Sequence, residues 1–60
     1  MYHIRDLEYN GHEVIILCDG DQYICDIRAD GYDGELIAGF TGFNTEAEAI
    51  MHALATIDAY

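Results

Sequence analysis

The chain of 60 residues contains no serine, no lysine and no tryptophan. Without serine and lysine, neither a serine nucleophile nor a Schiff-base lysine is available for covalent catalysis. A phosphate-binding P-loop is excluded as well, because that motif requires a lysine after its glycine-rich loop. The sequence therefore excludes three common kinds of catalytic or nucleotide-binding site.

Basic residues are nearly absent, since Arg5 and Arg28 alone face twelve carboxylates and the formal net charge is −10. Direct binding to nucleic acid requires lysine and arginine to neutralise phosphates. An anionic membrane repels so acidic a chain, whereas a basic surface attracts it. We expect the partner to be a basic protein, and specifically one that binds nucleic acid.

Length and composition predict a single acidic domain over residues 1–60, because about half of the residues are apolar and seven are Tyr or Phe. The N-terminus carries no signal-peptide core, and no apolar run is long enough to span a bilayer. We therefore expect a cytoplasmic protein, in a host cell if it is phage-encoded. Cys18 and Cys25 are expected to be reduced there, and buried.

Turn signals predict four strands. Asn10 and Gly11 both tolerate positive φ and predict a type I′ hairpin, and a second turn is expected at residues 19–22. A glycine-containing loop follows at residues 29–34, and Gly39 and Gly42 weaken the end of the last strand. The predicted strands are Tyr2–Tyr9, His12–Cys18, Tyr23–Arg28 and Glu35–Phe40.

A C-terminal helix is predicted after Thr45, which with Glu48 forms a capping box. An apolar stripe at helical period follows, formed by Ala47, Ile50, Met51, Leu54 and Ile57. The predicted fold class is α+β: an antiparallel three- to four-stranded β-meander packed on one C-terminal α-helix.

Residue parity assigns the two faces of the sheet. The helix is expected to cover the face with Val14, Ile16, Cys18, Tyr23, Cys25 and Ile27. Strand one changes parity between Ile4 and Leu7, which predicts a bulge near Arg5 and Asp6. The other face then shows Ile15, Leu17 and Ile24 beside Glu13, Asp26 and Arg28, and Ile37 is a further candidate for it. One helix cannot cover both faces, so we expect these exposed apolar residues to serve a dimer seam or a partner interface.

Catalytic and metal-binding patterns are not found in the sequence. The two cysteines are expected to be buried thiols, since free cysteine usually behaves as a small core hydrophobe. His3, His12 and His52 lack zinc-ligand spacing and are interpreted as solvated side chains. The acidic turns do not match the EF-hand pattern. We expect no enzyme activity, catalytic residue, metal or cofactor.

Carboxylates crowd around the second hairpin and the loop that follows it. Alternate residues of a strand lie about 7 Å apart on one face, close to the repeat of phosphates along a nucleic-acid strand. This acidic cluster is therefore a candidate phosphate mimic, although a solvated acidic surface without a partner explains it equally well. Its members are Asp19, Asp21, Asp26, Asp30, Asp33 and Glu35.

The junction Gly42-Phe43-Asn44-Thr45-Glu46-Ala47-Glu48-Ala49 resembles the strand-to-helix junction of the arm-binding domains of phage integrases. That resemblance implies a sheet with a C-terminal helix. It does not carry over DNA binding, because the integrase domains bind DNA through basic strands and the corresponding strands here are acidic.

In size, charge and lack of catalytic motifs, the chain also resembles small phage-encoded inhibitors, such as anti-CRISPR proteins and other DNA-mimic proteins. This resemblance implies an inhibitor that occupies the basic surface of a nucleic-acid-binding partner through the acidic cluster. The alternative is a regulatory or structural interaction module, antitoxin-like or an accessory subunit, that binds or dimerises through the apolar sheet face.

Overall fold

The computed structural model describes residues 1–29 and 34–60. These residues form one four-stranded antiparallel sheet in the order β1-β2-β3-β4, with a helix packed against one face. The predicted α+β class is confirmed. The elements are β1 Tyr2–Tyr9, β2 His12–Asp19, β3 Gln22–Ala29, β4 Leu36–Phe43 and α1 Glu46–Ala59.

Turn chemistry sets the register of the first two hairpins. Asn10 and Gly11 have φ values of 50° and 79°, as a type I′ turn requires, and they place Leu7 opposite Val14. At the second turn Gly20 has a φ of 69°. It places Cys18 opposite Tyr23 and Ile16 opposite Cys25, which confirms the predicted pairing.

The bulge predicted in strand one is present, one residue earlier than expected. The register with β2 shifts between His3 and Arg5, so that Ile4 is the extra residue. From Arg5 onward the strand alternates regularly, with Leu7 packed against the core. Asp6 and Glu8 consequently lie on the opposite face of the sheet.

The last strand is longer than predicted, because β4 continues through Gly39 and Gly42 to Phe43. Two irregularities in its pairing with β3 allow this extension. Phe43 lies opposite Tyr23 and Phe40 opposite Cys25, so two residues of β4 face one residue of β3. Gly42 lies within that bulge with a φ of 90°, a value that glycine adopts without strain.

The core lies between the sheet and the helix. Val14, Ile16, Cys25 and Ile27 contribute from the strands, and Ala49, Ala53 and Ile57 from α1. For two members of the predicted helical stripe the prediction of burial is therefore wrong, since Ala47 is exposed and Met51 is 69% exposed. Small alanine side chains let the helix approach the sheet closely, and Ile50 and Leu54 pack at the margin of this contact.

Both ends of the helix are fixed by side chains. The Glu48 amide donates to Thr45 Oγ1 at 3.1 Å, which confirms the predicted cap. At the other end, the Tyr9 hydroxyl donates to Asp58 Oδ1 at 2.9 Å and ties the first hairpin to the helix. This hydrogen bond and the charge of Asp58 raise the pKa of Tyr9.

Among the described residues, no helix has the length and apolar character needed to cross a bilayer.

Candidate functional site

The helix contacts β2, β3 and β4 on one face of the sheet, and no described element covers the other face. Residues opposite one another in an antiparallel pair share a face, so the register identifies the residues on this second surface. We call it the open face. Its side chains are His3, Asp6, Glu8, Glu13, Ile15, Leu17, Asp19, Gln22, Ile24, Asp26, Arg28 and Leu36.

The apolar residues predicted for the second face do lie there, but their exposure differs. Ile15 lies outside the core cluster and yet is only 5% exposed, which corrects the prediction of an exposed side chain. It belongs to an inner strand and has a neighbour on each side, Asp6 on β1 and Asp26 on β3. Leu17 and Ile24, which face each other and are half-buried, form the accessible apolar part.

Ile37 does not join the open face, because it packs against the core instead. The cause is a shift in the pairing of β4, in which Ala38 lies opposite Ile27 but Leu36 lies opposite Arg28. Ile37 is the extra residue at this bulge. Leu36, which is 49% exposed, takes the position on the open face beside Arg28.

Five carboxylates lie on the open face, those of Asp6, Glu8, Glu13, Asp19 and Asp26. Asp6 and Asp26 flank Ile15, and Glu8 lies directly opposite Glu13 on the neighbouring strand. Sequence reasoning missed Asp6 and Glu8, although the inward-facing Leu7 between them was a signal that both point outward. Directly opposed like charges destabilise a sheet, so the pair of glutamates has a structural cost.

The two arginines donate to other groups, although Arg28 lies directly opposite Glu13 on the neighbouring strand. Arg5 lies on the helix-covered side, where its Nε donates to Glu46 Oε2. Arg28 is on the open face, but its Nη1 donates to the Gly34 carbonyl at 3.0 Å. The imidazole of His3 lies 2.6 Å from Asp6 Oδ1, a contact that becomes an ion pair when His3 is protonated. The open face therefore keeps a large excess of negative charge.

The described members of the predicted acidic cluster do not share one patch. Asp19 and Asp21 flank the second turn, whereas Glu35 precedes β4 at the other end of the sheet. The eight residues of β3 separate these ends by roughly 26 Å. Asp26 lies between them, and the register places Asp19 on the open face together with Asp26. The other two members, Asp30 and Asp33, lie outside the described residues.

Both cysteines are free thiols, and they differ in environment. Burial and the nearby charge of Asp26 raise the pKa of Cys25 to about 11, against a lowering effect from a backbone hydrogen bond with Phe40. Its thiol is protonated and unreactive at neutral pH. Cys18 is half-buried rather than buried as predicted, because it lies next to the turn, where its Sγ donates to the Gly20 carbonyl.

The histidines have structural contacts that the sequence did not reveal. The ring of His52, expected to be solvated, meets Phe40 edge-on at 4.4 Å and Phe43 at 5.3 Å between ring centroids. His12 Nδ1 lies 2.9 Å from the Asn10 carbonyl oxygen. In the part of the chain that the structure describes, no three His, Cys, Asp or Glu residues are grouped so as to hold a metal ion.

No protein-family model, curated protein or solved structure matches this chain. The resemblances to integrase arm-binding domains and to anti-CRISPR proteins therefore stay predictions. A proposal of function therefore depends on the open face. On this surface an apolar strip, formed by Leu17 and Ile24, lies beside carboxylates that outnumber the basic side chains.

Proposed function

We propose that this chain is a non-enzymatic binding protein whose open face docks on the basic, nucleic-acid-binding surface of a partner protein and thereby inhibits it. The observation that supports this function is the row Asp6–Ile15–Asp26 across β1, β2 and β3. It places a carboxylate on each side of an apolar centre. The mode of action is that of a DNA mimic of the anti-CRISPR kind.

Electrostatics favours a basic partner over the alternatives. The open face has five carboxylates and one arginine, Arg28, which lies opposite Glu13 and donates to a backbone carbonyl. A partner with clustered lysine and arginine satisfies this excess charge and is attracted to it over a distance. Nucleic acid is repelled by the same charge.

The spacing of the carboxylates resembles that of a phosphate backbone. Asp6 and Glu8 are alternate residues of β1, so they project from the same face about 7 Å apart. Asp6 and Asp26 lie two strands apart, or about 10 Å. Because these positions are set by strand geometry, the charges are ordered before the partner arrives, which lowers the entropic cost of binding.

The apolar residues supply the part of the interface that excludes water. Leu17 and Ile24 form a half-buried pair beside the acidic row. Stable interfaces commonly combine an apolar centre with a polar rim, and the open face has this arrangement on a single surface.

The test compares two triple variants that carry the same charge. Asp6→Asn, Glu13→Gln and Asp26→Asn remove three of the five carboxylates of the open face. Asp21→Asn, Glu35→Gln and Glu48→Gln neutralise carboxylates elsewhere, and the last change keeps the capping geometry. Each triple variant reduces the formal net charge from −10 to −7. Wild type and both variants are immobilised and exposed to lysate of the source cells and, if phage-encoded, of its host cells.

We expect wild type and the second variant to retain the same nucleic-acid-binding protein, which the open-face variant loses. A duplex DNA fragment added in excess should release that protein. If the open-face variant retains it equally well, or if duplex DNA fails to release it, the proposed function is wrong.

A second candidate is a regulatory or structural interaction module that binds through the apolar residues alone. The half-buried Leu17 and Ile24, which lie opposite each other on neighbouring strands, favour it. Salt separates the two functions. Charge-led binding weakens steeply between about 50 and 500 mM salt because counterions screen exposed charges, whereas apolar binding persists.

A further inference from the structure

The strand β4 differs from the rest of this acidic molecule in having no charged side chain. Its sequence from Leu36 to Phe43 is Leu-Ile-Ala-Gly-Phe-Thr-Gly-Phe. The opposite edge strand, β1, contains His3, Arg5, Asp6 and Glu8. On a chain of net charge −10, β4 is therefore the strand where a second negatively charged molecule meets the least repulsion.

The strand β4 is also an edge of the sheet. In the described part of the chain it pairs with β3 alone, so one row of its N–H and C=O groups is open to pairing with another strand. Proteins usually protect such edges with charges, proline or bulges. The edge β1 has charges and a bulge at Ile4, whereas β4 has bulges but neither charge nor proline.

We propose that β4 pairs antiparallel with β4 of a second copy of this chain, so that two four-stranded sheets form one sheet of eight strands. Two identical antiparallel strands are related by a twofold axis and are self-complementary. The bulges at Ile37 and near Gly42 limit the regular part of the seam to Ala38, Gly39 and Phe40. A seam this short gives micromolar or weaker self-association.

A second copy fits this edge better than it fits the open face. Pairing two open faces brings Asp6, Glu8, Glu13, Asp19 and Asp26 of one copy against the carboxylates of the other, which repel one another. The β4 edge brings fewer carboxylates together: of those that the structure describes, Asp26 approaches the seam, because its side chain lies across Gly39. A basic partner gains no electrostatic attraction from an uncharged strand, so the edge and the open face suit different partners.

The pairing has a geometric consequence for the open face. The twofold axis of an antiparallel strand pair is perpendicular to the sheet, so the helices of both copies lie on one side and both open faces on the other. The dimer thus presents two copies of the row Asp6–Ile15–Asp26 on one continuous surface. The pairing itself does not depend on whether that surface binds a partner.

Sedimentation equilibrium of the wild-type chain from about 10 µM to 1 mM tests the proposal together with three variants, each of which adds one negative charge. Thr41→Glu places the charge in β4. Ile4→Glu places it on the opposite edge, and Met51→Glu on the exposed side of the helix; all three positions are exposed. We expect a wild-type dimer that Thr41→Glu weakens at least tenfold and that the other two variants retain.

Amide hydrogen exchange of the wild type locates the interface without any substitution, so its result does not depend on whether Thr41→Glu folds. Protection of β4 amides should rise with protein concentration, and protection of β1 amides should not. Added salt should strengthen the dimer by screening self-repulsion, the reverse of its effect on charge-led partner binding.

Three results overturn the proposal. They are a wild-type monomer at about 1 mM, equal weakening by all three variants, and concentration-dependent protection on β1 instead of β4. None of these results bears on the proposed function of the open face, and loss of partner binding does not bear on the dimer.

Discussion

The carboxylate of Asp26 lies across the backbone of Gly39, its cross-strand neighbour on β4. A Cβ on residue 39 would be 2.9 Å from Asp26 Oδ1, closer than two such atoms approach without displacement. The absence of a side chain at position 39 therefore leaves the space that the Asp26 carboxylate occupies. Gly39 is thus a positioning residue for one of the two carboxylates that flank Ile15.

A double-mutant cycle between these two positions tests the contact. In an Asp26→Ala background, Gly39→Ala should raise the free energy of unfolding by about 0.5–1 kcal/mol, because glycine weakens a strand interior. In the wild-type background, the gain should shrink or vanish, since the carboxylate must move. Urea denaturation of the four proteins measures both values. Equal gains in the two backgrounds would show that the carboxylate does not lie over residue 39.

The register of this sheet was predictable because local turn chemistry determines it. Asn10 and Gly11 allow one tight hairpin, and Gly20 allows another. These two turns determine the pairs of β1 with β2 and of β2 with β3, apart from those at the bulge at Ile4. The course of β4 was not predictable in the same way. Its bulges depend on how Ile37 and Gly42 fit against β3, which is a tertiary effect without a local signal.

The rotation of the helix about its axis was predicted incorrectly. Hydrophobicity ranks Met51 above Ala53, but the helix buries Ala53 and leaves Met51 exposed. The deciding quantity is the distance between helix and sheet, which small side chains shorten. Ala53→Leu should therefore cost about 1–3 kcal/mol through overpacking. Ala55→Leu, the same change at an exposed position, should change thermal stability little, and an equal cost at both positions would contradict this packing.

The buried thiol of Cys25 predicts a fall in stability at alkaline pH. Folding raises its pKa from 9.0 to about 11, so the native state keeps a proton that the unfolded state has lost. The contribution is complete below pH 9 and is lost as the pH rises to about 11, with an upper limit of about 3 kcal/mol.

Urea denaturation at several pH values checks this dependence. Cys25→Ala should reduce the slope of unfolding free energy against pH between about 9 and 11. Thiol labelling of the native protein should modify the half-buried Cys18 first. An unchanged slope in Cys25→Ala, or faster labelling of Cys25, would contradict the environment described for that thiol.

Part of the candidate site was predictable, because parity placed Ile15, Leu17 and Ile24 on one face. The carboxylates beside them were harder to assign. The sequence predicted a bulge near Arg5 and Asp6, which left the face of Asp6 open. The bulge lies at Ile4 instead, so Asp6 stays in register with the turn and pairs directly with Ile15. The density of carboxylates along the sequence pointed instead to the turns. Asp21 and Glu35, which belong to those turns, lie at opposite ends of the sheet.

The two faces of β3 provide the sharpest test of the open face, because Ile24 and Ile27 accept the same substitution on opposite sides. Ile27 is 1% exposed and belongs to the core cluster, so Ile27→Glu buries a carboxylate without a partner and should unfold the chain. Ile24→Glu should cost only about 1 kcal/mol, the range of strand propensities, and should leave the circular dichroism spectrum unchanged.

The folded Ile24→Glu protein should nevertheless lose any partner that wild type retains, because it places a charge in the apolar part of the interface. If Ile24→Glu unfolds the chain as Ile27→Glu does, Ile24 belongs to the core and the apolar strip does not exist. If it folds and binds as tightly as wild type, the interface lies elsewhere.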